Sequence, residues 1–111
     1  MSAELRAICV EAVSKCGRLP QAVRENTNAI ESVEITNFDQ EYIEFLDQQI
    51  AVEARGQKWS ERLKIRRLNL SQHVGRELAS YRLRCGGDHY WIKIDPTEGS
   101  VVHWEDYDET E

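Results

Sequence analysis

The stretch Glu77-Leu-Ala-Ser-Tyr-Arg-Leu-Arg-Cys-Gly-Gly-Asp-His-Tyr-Trp-Ile-Lys-Ile-Asp-Pro-Thr-Glu-Gly-Ser-Val-Val-His-Trp-Glu-Asp-Tyr107 decides the fold. Two turn signals cut it, Cys85-Gly86-Gly87-Asp88 and Asp95-Pro96-Thr97-Glu98-Gly99. Ala79, Tyr81 and Leu83 alternate with Ser80, Arg82 and Arg84, and Tyr90, Ile92 and Ile94 alternate with His89, Trp91 and Lys93. Period two puts each set on one side of its strand, so the stretch predicts an antiparallel meander with one apolar face. The opposite face is expected to show Arg82, Arg84, Trp91 and Lys93, with either Val101 and His103 or Val102 and Trp104. Strand 77–84 has no proline, which suits a central strand or an open edge.

Everything upstream then has to cover the apolar face. Ser2 is placed to cap a helix bearing Leu5, Ile8, Cys9, Ala12, Val13 and Cys16 at three-and-four spacing, with Gly17 as its stop. Pro20 to about Asn26 predicts a short second helix, halted by Asn26-Thr27-Asn28. Val33 and Ile35 alternate with polar neighbours and suggest an extra strand. Thr36 or Asn37 can cap a longer helix over about 38–55, where Tyr42, Ile43, Phe45, Leu46, Ile50 and Ala54 form the apolar face and Gly56 ends it. That helix is the expected layer over the sheet. Residues 57–70 read as a helix capped by Ser60 and running through about Arg67, although Leu63-Lys64-Ile65 and Leu68-Asn69-Leu70 also alternate as strands do. The sum is an α+β fold, N-terminal helices packed on one face of a C-terminal three- to four-stranded antiparallel meander.

With 111 residues, the chain is expected to form a single domain over 1–111. No apolar run of about 18 residues and no basic leader pattern is present, which predicts a cytoplasmic protein without a membrane partner. Cys9, Cys16 and Cys85 are odd in number and lack a C-x-x-C pair, so buried thiols are expected rather than disulfides or zinc ligands. His73, His89 and His103 match no metal-ligand spacing, Gly86-Gly87 precedes no phosphate-binding helix, and Asp95 and Glu98 flank a turn. The sequence therefore predicts no enzyme, no catalytic residue, no metal and no cofactor.

Charge is unevenly distributed along a chain of net −6. Residues 55–84 hold nine basic and two acidic side chains, a local +7, leaving −13 elsewhere. The tail His103-Trp104-Glu105-Asp106-Tyr107-Asp108-Glu109-Thr110-Glu111 sets five carboxylates around two aromatic rings. Acids around ring anchors suit docking on a basic cleft, since charge steers encounter and rings supply buried contact. Net acidity makes nucleic acid an unlikely partner, because phosphate affinity is built from Lys and Arg contacts.

The run from Tyr90 to Asp106, a strand, an Asp-Pro turn and a strand ending in an aromatic and acids, resembles the small acidic immunity proteins of bacterial polymorphic toxin systems. The resemblance implies a cognate inhibitor that binds a basic toxin domain, a nuclease for example, whose positive active site a carboxylate surface can fill. The expected partner-binding residues are Glu41, Glu44 and Asp47 on the helix and Trp91, Trp104, Glu105, Asp106, Tyr107 and Asp108 in the last third. The competing reading is a small nucleic-acid-binding or regulatory module that uses the basic segment 55–84, with Trp59 and Trp91 as stacking surfaces.

Overall fold

A computed structural model describes residues 3–27 and 30–108, with the side chains at 30, 37, 38 and 108 excepted. The element order is α1 (Ala3–Lys15), α2 (Gln21–Glu25), β1 (Ile30–Phe38), α3 (Gln40–Ala51), α4 (Gln57–Leu70), a 3-10 turn at Ser71–His73, β2 (Arg76–Cys85), β3 (Asp88–Asp95) and β4 (Ser100–Asp108). The four strands form one sheet in the order β1-β2-β3-β4, and the two pairings in the meander are antiparallel. The protein is therefore α+β, with N-terminal helices and a C-terminal antiparallel meander. Its chain divides into two compact units, Met1–Thr36 with Glu77–Glu111, and Asn37–Arg76. Among the described residues no helix is long and apolar enough to cross a membrane.

The hairpin between β2 and β3 follows from its glycines. Cys85 pairs with Asp88, and Gly86 and Gly87 between them both take positive φ (62° and 86°), the signature of a type I′ turn that matches strand twist. At the second turn Asp95 Oδ1 accepts from the backbone N–H of Thr97 (2.9 Å) and Glu98 (3.3 Å), and the Gly99 N–H donates to the Asp95 carbonyl (2.8 Å). Asp95 is thus a turn-forming carboxylate, almost completely buried.

The register explains which side chains share a face. Ala79, Tyr81 and Leu83 stand opposite Ile94, Ile92 and Tyr90. Onto this face pack Cys9, Ala12 and Val13 of α1, Leu19 of the connection and Val23 of α2, with Val33 and Val101 from the flanking strands. Burying each of the valine, leucine and isoleucine side chains is worth about 1.5–3 kcal/mol. Tyr81 lies wholly inside, and its hydroxyl donates to the Thr27 carbonyl at 2.9 Å, so the ring is buried without orphaning its polar tip. The helices over the sheet are thus α1 and α2. Helices α3 and α4, at the position expected to supply a layer over the sheet, pack against each other within the unit Asn37–Arg76.

Strand β4 departs from simple alternation. Lys93 faces His103 but Ile94 faces Val101, so Val102 is the extra residue of a β-bulge. Val101 and Trp104 consequently both turn toward the helices, while His103 turns away. Neither of the two expected pairings holds, because the bulge resets the parity between residues 101 and 104. Arg18 donates from Nη2 to the Val101 carbonyl (2.8 Å), satisfying a backbone acceptor beside the bulge on this outer strand.

Several boundaries shift for identifiable reasons. The weak strand signal at Val33 and Ile35 grows into nine-residue β1, which consumes Thr36 and Asn37 as strand residues. Asp39 becomes the cap of α3 instead, its Oδ1 accepting from the Tyr42 N–H at 3.2 Å. Gly56, at φ 114°, starts α4 rather than ending α3, and α4 runs three residues beyond Arg67, with Leu63 and Leu70 buried two turns apart. Strand β2 is internal, and β1 and β4 are the edges. The proposed cap Ser2, Asn28 of the helix-stopping cluster, and Glu109 to Glu111 of the tail lie outside the described residues.

Candidate functional site

The residues expected to bind a partner fall into three places. The first is α3, where Glu41, Glu44 and Asp47 are exposed, as the helical period dictates for positions opposite the buried Ile43 and Leu46. Asp47 accepts from Arg67 Nε at 2.5 Å and Nη2 at 3.3 Å, so α4 neutralises it inside the same unit. Beside these acids Phe45 is 50% exposed, with its ring centroid 6.1 Å from that of Tyr42. Sequence periodicity put Phe45 on the buried face. It sits at one margin of that stripe, about 100° round the helix from Leu46, and that marginal position was the available signal.

The second place is the sheet face turned away from α1 and α2, which carries Trp91, Glu105 and Tyr107. Trp91 stands directly opposite Glu105, and His89 opposite Tyr107. Glu105 is only 5% exposed, and both its oxygens are engaged: His103 Nε2 donates to Oε2 at 2.7 Å, and the Tyr107 hydroxyl donates to Oε1 at 2.8 Å. Trp91 meets the His103 ring edge-on at 6.0 Å between centroids. Lys93, expected on the surface, is buried; its ammonium donates to Ser80 Oγ (2.5 Å) and Thr36 Oγ1 (3.1 Å) and lies 5.0 Å over the Trp91 ring. These side chains form two hydrogen-bonded groups, Lys93 with Ser80 and Thr36 and Glu105 with His103 and Tyr107, and the Trp91 ring contacts both. A buried carboxylate or ammonium without such partners would cost several kcal/mol.

The third place is the helix-facing side of β4. Trp104 packs against the core and its ring lies 6.2 Å from that of Tyr90, while Asp106 is exposed opposite Tyr90. The Tyr90 phenol is held above its ordinary pKa, first by burial and then by the negative charges of Asp88 and Asp106. The structure thus brings Trp91, Glu105 and Tyr107 together, separates them from Trp104 and Asp106 by the sheet itself, and leaves Glu41, Glu44 and Asp106 presented to solvent. The side chain of Asp108, at the end of β4, lies outside the described residues.

In the basic segment much of the charge is engaged locally. Arg55 pairs with Glu53 (2.9 Å), Lys64 with Glu61 (3.8 Å) and Arg67 with Asp47. The guanidinium groups of Arg55 and Arg62 lie 4.0 and 4.9 Å over the Trp59 ring, so the surface proposed for base stacking already holds two cations. Cys9 is fully buried, and burial pushes its thiol up to about 11; Cys16 and Cys85 are partly buried and free. Among the described residues no group of three or more His, Cys, Asp or Glu side chains is placed to hold a metal ion. Compared with known proteins, the chain matches no protein-family model, no curated protein and no solved structure.

Proposed function

We propose that the protein is an inhibitor of the immunity-protein kind, which binds and neutralises a basic toxin domain. One observation carries the reading: α3 presents exposed Glu41 and Glu44 beside a half-exposed phenylalanine, Phe45, on a helix with no basic residue. An exposed aromatic ring ringed by carboxylates has the composition of an interface anchor, in which the ring is desolvated by the partner and the acids steer a positive surface onto it. Glu41, Glu44 and Phe45 are the residues to which we assign contact. Trp91, Glu105 and Tyr107 support the sheet in this reading, and Trp104 supports the core.

The test begins with the reading frame beside the gene. Its C-terminal domain is expressed in cells alone and together with this chain. Growth arrest by the first and its relief by the second are expected, with relief lost in the double variant Glu41→Lys/Glu44→Lys. Calorimetry on the purified pair should show Phe45→Ala weakening binding at least about 30-fold, as removal of a central anchor does. A chain that gives no relief, or variants that bind as the native chain does, would remove α3 from the argument.

A further inference from the structure

We infer that a second copy of this chain covers the exposed faces of α3 and α4 when no toxin is present, so that self-association and inhibition compete for one surface. The inference rests on the α3 contact surface assigned above, and goes beyond it by naming a second occupant. Of the six large apolar side chains left exposed among the described residues, five lie in the unit Asn37–Arg76. Four of them sit on or at the end of the two helices: Phe45 and Val52 (70% exposed), and Ile65 (52%) and Leu68 (63%). A surface this apolar on so small a unit calls for a covering partner.

Charge identifies that partner. Helix α3 carries Glu41, Glu44 and Asp47 with no basic residue, and α4 carries Lys58, Arg62, Lys64, Arg66 and Arg67 with Glu61 as its single acid. Glu41, Phe45, Gln48 and Val52 recur at four, three and four residues, one continuous row. On α4, exposed Lys58 lies two turns before Ile65 and exposed Lys64 one turn before Leu68, while Glu61, one turn before Ile65, is paired with Lys64, so the surroundings of the exposed apolar pair carry a net positive charge. The two helices therefore each present an apolar pair, on α3 with a net negative charge and on α4 with a net positive one. The Asp47–Arg67 pair shows the same complementarity already used within one copy. In a twofold dimer α3 of each copy lies on α4 of the other, which is the self-complementary arrangement such symmetry requires.

The experiment is sedimentation of the full chain over a wide concentration range at low and high salt. The expected result is a monomer–dimer equilibrium that weakens with salt. The variant Glu41→Lys/Glu44→Lys should raise the dissociation constant at least about tenfold. Adding Lys58→Glu/Lys64→Glu to that variant should restore the dimer, because the charges are exchanged rather than lost. The exchanged chain should still fail to relieve the toxin, whose basic surface now meets lysines. A native chain that stays monomeric throughout, or a charge exchange that restores nothing, overturns the dimer. A monomeric chain that relieves the toxin leaves the inhibitor reading intact, and a dimer that never relieves any toxin leaves only the self-association standing.

Discussion

Replacing Glu105 by alanine separates two roles that the sequence alone runs together, a carboxylate offered to a partner and a carboxylate that holds the sheet. In the structure its two oxygens take the His103 Nε2–H at 2.7 Å and the Tyr107 hydroxyl at 2.8 Å, and the His103 and Glu105 side chains are 3% and 4% exposed. Hydrogen bonds to a charged group are worth about 1.5–3 kcal/mol each. Without the carboxylate the His103 N–H and the Tyr107 hydroxyl lose their acceptor, and a buried donor left unsatisfied costs about 1–3 kcal/mol. Two such bonds give about 3–6 kcal/mol for Glu105→Ala, a large part of the roughly 5–15 kcal/mol that holds an ordinary domain together. With a urea dependence of about 1–3 kcal/mol per molar, the unfolding midpoint should fall by at least about 1 M. Tryptophan fluorescence is a suitable probe, since Trp91 stands directly across from Glu105. Glu105→Gln keeps the shape and one acceptor and should lose less. An unchanged midpoint in the alanine variant, accompanied by lost toxin relief, would refute the assignment and return Glu105 to the interface.

Three further outcomes are expected. Asp39→Ala removes the side chain that caps α3 through the Tyr42 N–H and should cost about 1 kcal/mol, read as a lower thermal midpoint, with Asp39→Asn close to the native chain. Thiol titration of the native protein should show Cys16 and Cys85 reacting before Cys9, whose thiol is buried and raised to about 11; all three should react at once in denaturant, and a Cys9 as fast as the others would contradict its place in the core. Stability should also decline at high pH. Burial raises Cys9 from 9.0 to about 11 and Tyr81 from 10.0 to about 12, so both hold their protons more tightly when folded. Their contribution is full below the unfolded values and is lost as pH climbs through the folded ones, and Tyr81→Phe should flatten the upper part of that decline while losing the bond to the Thr27 carbonyl.

Local chemistry was enough to read the meander, its two turns and the first three helices, whereas residues 57–70 also fitted strands and are α4 in the structure. Gly86-Gly87 admits the positive φ of a tight hairpin, Asp95 closes its own turn, and alternation over 79–94 leaves one choice of apolar face. These features depend on neighbours a few residues apart, and a sequence displays such neighbours directly. The acidic side chains of α3 were legible for the same reason.

What only the tertiary structure decided depends on distant partners. Whether Lys93 meets water or Ser80 and Thr36 is set by a residue thirteen positions away and another fifty-seven away. Glu105 becomes a buried acceptor, and Trp104 a core ring, because a bulge at Lys93/Ile94 changes which side of β4 faces the helices. Phe45 is left in solvent because α3 buries only the narrow side defined by Ile43 and Leu46, a width that the pattern of apolar residues overstates. Period and turn chemistry determine where a side chain points along its own element; burial is determined by what the rest of the chain brings to meet it.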